Sequence, residues 1–137
     1  MIAPGMFYVD ETAGVLHVLP PAGTNMAQAD IEVATLPELL IVTALGAGAL
    51  NGVVFRGLTF QYAASCRSKD EAVFVFGKIS NILFDSDQFL WNASIGLSLN
   101  YPVSNVTVMN STANHNGATG FTTTPVQISF WPLLCSG

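Results

Sequence analysis

A repeat with a spacing of 24 residues constrains the fold of this chain more than any other feature of its sequence. Residues 80–98 align without a gap with residues 104–122, so that Asn92 meets Asn116. An earlier segment, which begins at Asn51, fits the same frame 29 residues before the first of these two. The chain therefore repeats one structural unit, with a short insertion after its first copy.

Apolar residues alternate with other residues at the start of each repeat, as strands with one buried face require. The residues that we expect to point inward are Val53 and Phe55, Ile82 and Phe84, and Val106 and Val108. A repeat of this length holds about three short strands with their turns, at about 3.3 Å per strand residue, and is too short for paired helices. Because one repeat buries its apolar face only against its neighbours, the sequence predicts an all-β chain that stacks as a parallel β-helix of about three coils.

The segment before the repeats predicts an antiparallel β-hairpin. Its strands would be Phe7 to Val9 and Val15 to Leu19, with a turn that ends at Gly14. Leu36 to Ala44 suits either a short helix or a buried strand, and we favour a strand from Leu39. The predicted organisation is an N-terminal hairpin and strand segment over 1–36, β-helix coils over 37–123, and an atypical or truncated C-terminal tail over 124–137.

Composition and charge exclude several classes of function. Half of the residues are hydrophobic, but no uninterrupted apolar run reaches the 18 or more residues of a membrane span. The net charge is −5 with only four Lys and Arg residues, so we expect no nucleic-acid partner. Cys66 and Cys135 form no metal-binding pair, and we expect no metal and no cofactor; whether these two cysteines form a disulfide is left open.

Three motifs resemble bacterial right-handed parallel β-helix proteins of the pectin-lyase-like superfamily, some of which are similar to glycoside hydrolases. The motifs are the hairpin sequence FYVDETAGVLHVLPPAG from Phe7, the coil opening VVFRGLTF from Val53, and HNGATGF from His115. The resemblance covers roughly residues 7 to 123 and implies a right-handed β-helix. It also implies a secreted parent protein, extracellular or periplasmic, that acts on or binds a polysaccharide or oligosaccharide.

Two classes of function remain open under this resemblance. The parent protein would be a glycoside hydrolase or polysaccharide lyase, and we expect this chain to be a fragment that is inactive alone. The alternative is a non-catalytic β-helix that serves as a surface, adhesion or structural repeat scaffold. The resemblance indicates the fold and does not choose between these functions, because function depends on a site and not on a fold.

Asp85 and Asp87 are the predicted catalytic residues. They form the only acidic pair inside the coils, and two carboxylates on one face can act as acid and as base or nucleophile in glycoside cleavage. A spacing of two residues on a strand predicts that both side chains lie on the same face. The competing interpretation is that these aspartates satisfy backbone groups at a turn.

Tyr62, Trp91 and His115 align across the three repeats and are the predicted substrate-binding residues, which we call the ring column. Aromatic rings in line can stack against the apolar faces of sugar rings, or simply against one another. Asn92 and Asn116 stack at one turn and Asn110 lies at another, and all three are predicted to form a structural ladder that binds neighbouring backbones.

Overall fold

The structure, a computed structural model, describes residues 3–44, 46, 48–64, 70–124, 128–131 and 134–136. Within these ranges the secondary structure consists of strands, and none of these residues forms a helix that could cross a membrane. The strands, in chain order, are β1 (Phe7–Asp10), β2 (Val15–Val18), β3 (Leu40–Ala44), β4 (Leu50–Arg56), β5 (Thr59–Gln61), β6 (Glu71–Gly77), β7 (Ile79–Asp85), β8 (Gln88–Leu90), β9 (Ile95–Leu99), β10 (Ser104–Met109), β11 (Thr112–Asn114), β12 (Phe121–Thr123), β13 (Ile128–Trp131) and β14 (Leu134–Ser136).

The chain divides into two compact units, over 1–33 and 34–137. The first unit contains the antiparallel hairpin of β1 and β2, in which Tyr8 lies opposite His17. The carboxylate of Asp10 accepts the backbone N–H groups of Thr12 and Ala13, at 3.0 and 2.9 Å, and so closes the turn. The predicted hairpin is therefore present, with strands that differ from the predicted ones by one residue.

The second unit consists of three four-stranded parallel sheets, which take one strand each from every pass of the chain. Sheet I contains β3, β6, β9 and β12, sheet II contains β4, β7, β10 and β13, and sheet III contains β5, β8, β11 and β14. In sheet II, Ile82 is paired with Val53 on one side and Val106 on the other. The repeat seen in the sequence is thus the register of the sheets, and the arrangement is compatible with a parallel β-helix.

Alternate residues of the strands form one apolar core. The rings of Phe55 and Phe84 stack at 4.9 Å, and those of Phe60 and Phe89 stack at 5.3 Å, so each ring lies over its equivalent in the next repeat. Phe84 and Phe89 are fully buried. Burial of a side chain of this size contributes roughly 1.5–3 kcal/mol, so the stack of equivalent rings is a main source of stability.

Within each repeat, three residues with positive φ follow one another at intervals of five positions and turn the chain between its short strands. They stack in three columns with φ between 49° and 79°: Gly52, Asn81 and Asn105; Gly57, Ser86 and Asn110; and the ring column of Tyr62, Trp91 and His115. In the first column, the amide of Asn105 donates to Asn81, and that of Asn81 donates to Asn51 at 2.6 Å. Glycine and asparagine adopt this conformation at the lowest cost, which explains their presence in the first two columns.

Gly96 is required for a different reason, the close approach of neighbouring chain segments. It lies inside β9, and a Cβ atom there would lie 2.6 Å from the carbonyl oxygen of Gly120 and 2.9 Å from Cβ of Phe89. Glycine therefore allows sheet I to pack against the core at this level.

Candidate functional site

The ring column presents three large rings at the surface, directly after the strands of sheet III. Tyr62 is 50% exposed and Trp91 is 54% exposed, and His115 is also exposed. The rings of Trp91 and His115 stack with their centroids 4.1 Å apart and their planes at 16°. The structure therefore brings the predicted substrate-binding residues into one column, with an explicit stack between two of them.

The backbone conformation of the ring column is unusual for such bulky residues. Their φ angles are 63°, 55° and 55°, in the left-handed region that a non-glycine residue occupies at a cost of about 1–3 kcal/mol. Backbone pairing holds the conformation, because Tyr62 N–H donates to the carbonyl of Leu90 and Trp91 N–H donates to that of Asn114, at 3.4 and 3.2 Å. The rings of Tyr62 and Trp91 therefore stand on bends that the next repeat holds in place.

Asn92 and Asn116 anchor these bends from inside, one residue after the rings of Trp91 and His115. The Oδ1 atom of Asn92 accepts the N–H of Ala63 at 3.0 Å, and its Nδ2 atom donates to the carbonyl of Phe60 at 3.2 Å and to Oδ1 of Asn116 at 2.9 Å. The amide of Asn116 in turn donates to the carbonyl of Phe89 at 2.9 Å. These contacts connect three repeats beneath the ring column.

The outer face of sheet III adjoins the ring column and carries no charge on its described side chains. Two rows of side chains run across the strands. One row is Thr59, Gln88 and Thr112, and the other is Gln61, Leu90 and Asn114. Gln61 and Gln88 are exposed, so their amides face solvent; Gln61 directly precedes Tyr62, whereas Gln88 lies three residues before Trp91. These amides are absent from the predicted site, although their alternation with buried residues in the sequence was a signal for them.

Asp85 lies at the end of β7 in an exposed hydrogen-bonded cluster. Arg56 Nε donates to Oδ2 at 2.9 Å, while the Ser86 hydroxyl and the Asn110 amide donate to Oδ1 at 3.0 and 3.2 Å. The bonds from Asn110, Ser86 and Arg56 hold the pKa of Asp85 below its usual range. Asn110 therefore belongs to this cluster, apart from the contacts of Asn92 and Asn116.

Asp87 occupies the opposite environment and is fully buried. Its Oδ1 atom accepts the N–H of Leu58 at 2.8 Å, whereas Oδ2 has no hydrogen-bond partner. Burial raises the pKa of Asp87, and the bond from Leu58 only partly offsets this effect. The positive φ of Ser86, at 61°, interrupts the alternation of the strand, so the two carboxylates do not line one exposed face.

The described residues contain no group of three His, Cys, Asp or Glu side chains arranged to hold a metal ion. Cys66 lies outside the described part of the chain, so its pairing with Cys135 stays an open question.

Compared with models of protein families, with curated proteins and with solved structures, the chain matches none of them.

Proposed function

We propose that residues 34–137 form part of a right-handed parallel β-helix that binds carbohydrate along the ring column of Tyr62, Trp91 and His115. The observation that carries the proposal is that three successive repeats hold a large exposed ring on a bend with positive φ. The equivalent bends of the other two columns use glycine, serine and asparagine. A bulky residue at such a bend strains the backbone, and these rings bury only part of their surface. Both facts favour a role in binding a ligand over a role in stabilising the fold.

The chemistry of the ring column suits a sugar. The C–H groups on one face of a pyranose are apolar and pack against an aromatic ring, while its hydroxyl groups need hydrogen-bond partners at the edge. Rings that are half exposed supply the first kind of contact, and the amides of Gln61 and Gln88 supply the second. We accordingly propose a polysaccharide or oligosaccharide as the partner.

The motif resemblance extends the proposal to the parent protein. We place the chain with the β-helix proteins of the pectin-lyase-like superfamily and propose an extracellular or periplasmic location, where polysaccharides are found. The succession of strands through three parallel sheets supports this assignment at the level of architecture. The reaction of such a parent protein, hydrolysis or elimination, depends on residues that act on the bound sugar.

Catalysis by Asp85 and Asp87 stays a separate prediction. A raised pKa suits a general acid, but a general acid must reach the glycosidic oxygen, and Asp87 is fully buried. The side chain of Asp85 is more accessible, yet it is held by Arg56, Ser86 and Asn110. The geometry therefore favours binding without bond cleavage by this pair. An Asp85→Asn change that abolishes turnover of a polysaccharide would restore the catalytic assignment.

A structural scaffold is the second candidate, and the 4.1 Å stack of Trp91 on His115 is the observation that favours it. Rings that stack on one another stabilise adjacent repeats by about 0.5–1.5 kcal/mol beyond their burial and need no ligand. The two candidates differ in one respect, which is whether a soluble glycan binds at the ring column.

The test is calorimetric titration of the chain with neutral and acidic oligosaccharides, on the wild type and on Trp91→Ala. The matched control is Tyr101→Ala, because Tyr101 is a 74% exposed aromatic residue outside the ring column. We expect binding that Trp91→Ala weakens at least tenfold and that Tyr101→Ala leaves unchanged. Equal loss in both variants, or no binding by the wild type, would refute the carbohydrate proposal in favour of the scaffold.

A further inference from the structure

We infer that the ring column and the outer face of sheet III select a neutral glycan and reject an anionic one. This inference rests on the proposed function and adds the class of ligand to it. It starts from the described side chains that a bound glycan would contact, namely the rings of Tyr62, Trp91 and His115 and the amides of Gln61 and Gln88.

The described part of this surface lacks a countercharge for an acidic sugar. Apart from the three rings, its exposed described side chains are hydroxyls and amides, which donate to and accept from sugar hydroxyls equally well. A carboxylate that leaves water for this surface would lose its hydration, and the amides and hydroxyls would supply only neutral donors in return. Such a transfer is unfavourable unless the charge is paired.

Arg56, a described cation close in sequence to sheet III, is bound elsewhere. Arg56 ends β4, before the bend that leads into sheet III, and its Nε atom is bound to Asp85 at 2.9 Å. The chain as a whole carries a net charge of −5, so its long-range field repels a polyanion. The net charge and the charges of the described residues thus both oppose an acidic ligand.

The register of sheet III sets the direction in which the glycan lies. Gln88 is paired with Thr59 on one side and Thr112 on the other, so this polar row runs across the strands and parallel to the ring column. Neighbouring strands lie about 4.8 Å apart, so three rungs span about 10 Å, which matches roughly two pyranose units. The glycan therefore follows the stack of repeats, with its apolar C–H groups toward the exposed part of the Trp91 ring and its hydroxyl groups toward Gln88.

The experiment compares hexasaccharides of equal length and different charge by titration calorimetry. The neutral set is cellohexaose, xylohexaose, mannohexaose and maltohexaose, and the anionic ligand is hexagalacturonate. We expect at least one neutral hexasaccharide to bind, with an affinity that is unchanged between about 0.05 and 0.5 M salt because no ion pair forms. We expect hexagalacturonate to bind at least tenfold more weakly than that neutral ligand.

Variants of Gln88 locate the selectivity on sheet III. Gln88→Ala is expected to lower the affinity for the neutral hexasaccharide by about fivefold, the effect of one lost hydrogen bond. Gln88→Lys is expected to introduce salt-sensitive binding of hexagalacturonate. Gln28→Ala serves as the control, because Gln28 is an exposed glutamine of the first unit.

The possible results separate carbohydrate binding at the ring column from selectivity for a neutral glycan. Preferred binding of hexagalacturonate that Trp91→Ala abolishes would overturn the neutral-ligand inference and leave carbohydrate binding at the ring column intact. Neutral binding that neither Trp91→Ala nor Gln88→Ala alters would overturn both, since the glycan would then lie elsewhere. Absence of binding for every hexasaccharide would overturn the proposed function, and the inference with it.

Discussion

Replacement of Asn92 by alanine tests the contact that joins three repeats beneath the ring column. Asn92 is only 2% exposed, and its amide makes hydrogen bonds to the N–H of Ala63, the carbonyl of Phe60 and Oδ1 of Asn116. Each bond contributes about 1 kcal/mol net, and the buried backbone groups that lose a partner add to the cost. We expect Asn92→Ala to lower the free energy of unfolding by about 3 kcal/mol, with a decrease in Tm of about 15 °C.

Urea denaturation followed by circular dichroism measures this loss. The matched control is Gln88→Ala, in the strand that directly precedes this bend, because the Gln88 side chain is exposed; we expect a change of less than about 0.5 kcal/mol. A loss in Asn92→Ala no larger than that of the control would show that the amide does not connect the repeats, and the reasoning would be refuted.

Asp87→Asn removes a buried charge, since burial raises the pKa of the carboxyl in the folded state. The Asp87 carboxyl therefore costs the wild type stability as the pH rises from below the unfolded-state pKa of about 3.9, and the variant lacks this loss. A difference between their urea midpoints that stays flat with pH would contradict the raised pKa of Asp87. Gly96→Ala places a Cβ atom 2.6 Å from a backbone oxygen and is expected to cost about 2 kcal/mol in urea denaturation; a loss under about 0.5 kcal/mol counts against the close packing. Gly57→Asn is expected to be tolerated within about 1 kcal/mol, because φ is 67° there and Asn110 occupies the equivalent bend, whereas Gly57→Val should cost clearly more in the same assay. Equal losses for the two Gly57 variants would contradict the bend conformation.

The repeat in the sequence was sufficient to predict which residues lie next to one another in the sheets. The alignment that placed Ile82 over Val106 is the observed pairing, because a ladder of parallel strands preserves the spacing of the repeat. Alternation of apolar residues likewise predicted that Phe84 and Val108 point into the core, and both are fully buried.

The bends were less predictable, and one of them changed the environment of a candidate residue. The expectation that Asp85 and Asp87 share a face assumed an uninterrupted strand with a period of two. Ser86 adopts a positive φ between them, and a single residue of this kind reverses the side to which the next side chain points. Serine is a weak signal for such a bend, although Gly57 and Asn110 at the equivalent positions carry a stronger one.

In the candidate site, the alignment of the rings was predictable from the sequence, and their stacking and exposure were not. Alignment of Tyr62, Trp91 and His115 followed from the repeat alone, because equivalent positions stack. The stack of Trp91 on His115, and the exposure of the rings, depend on side-chain torsions and on the bend beneath them, which no spacing in the sequence specifies. The polar outer face of sheet III was likewise visible only once its strands had been paired.

The indole N–H signal of Trp91 reports whether a glycan binds at the ring column. The chain contains two tryptophans, so its ¹⁵N-correlated spectrum has two indole signals, which a Trp91→Phe variant assigns. We expect a saturable shift of the Trp91 signal on titration with the hexasaccharide that binds in calorimetry. An unmoved Trp91 signal under saturating glycan would contradict binding at the ring column.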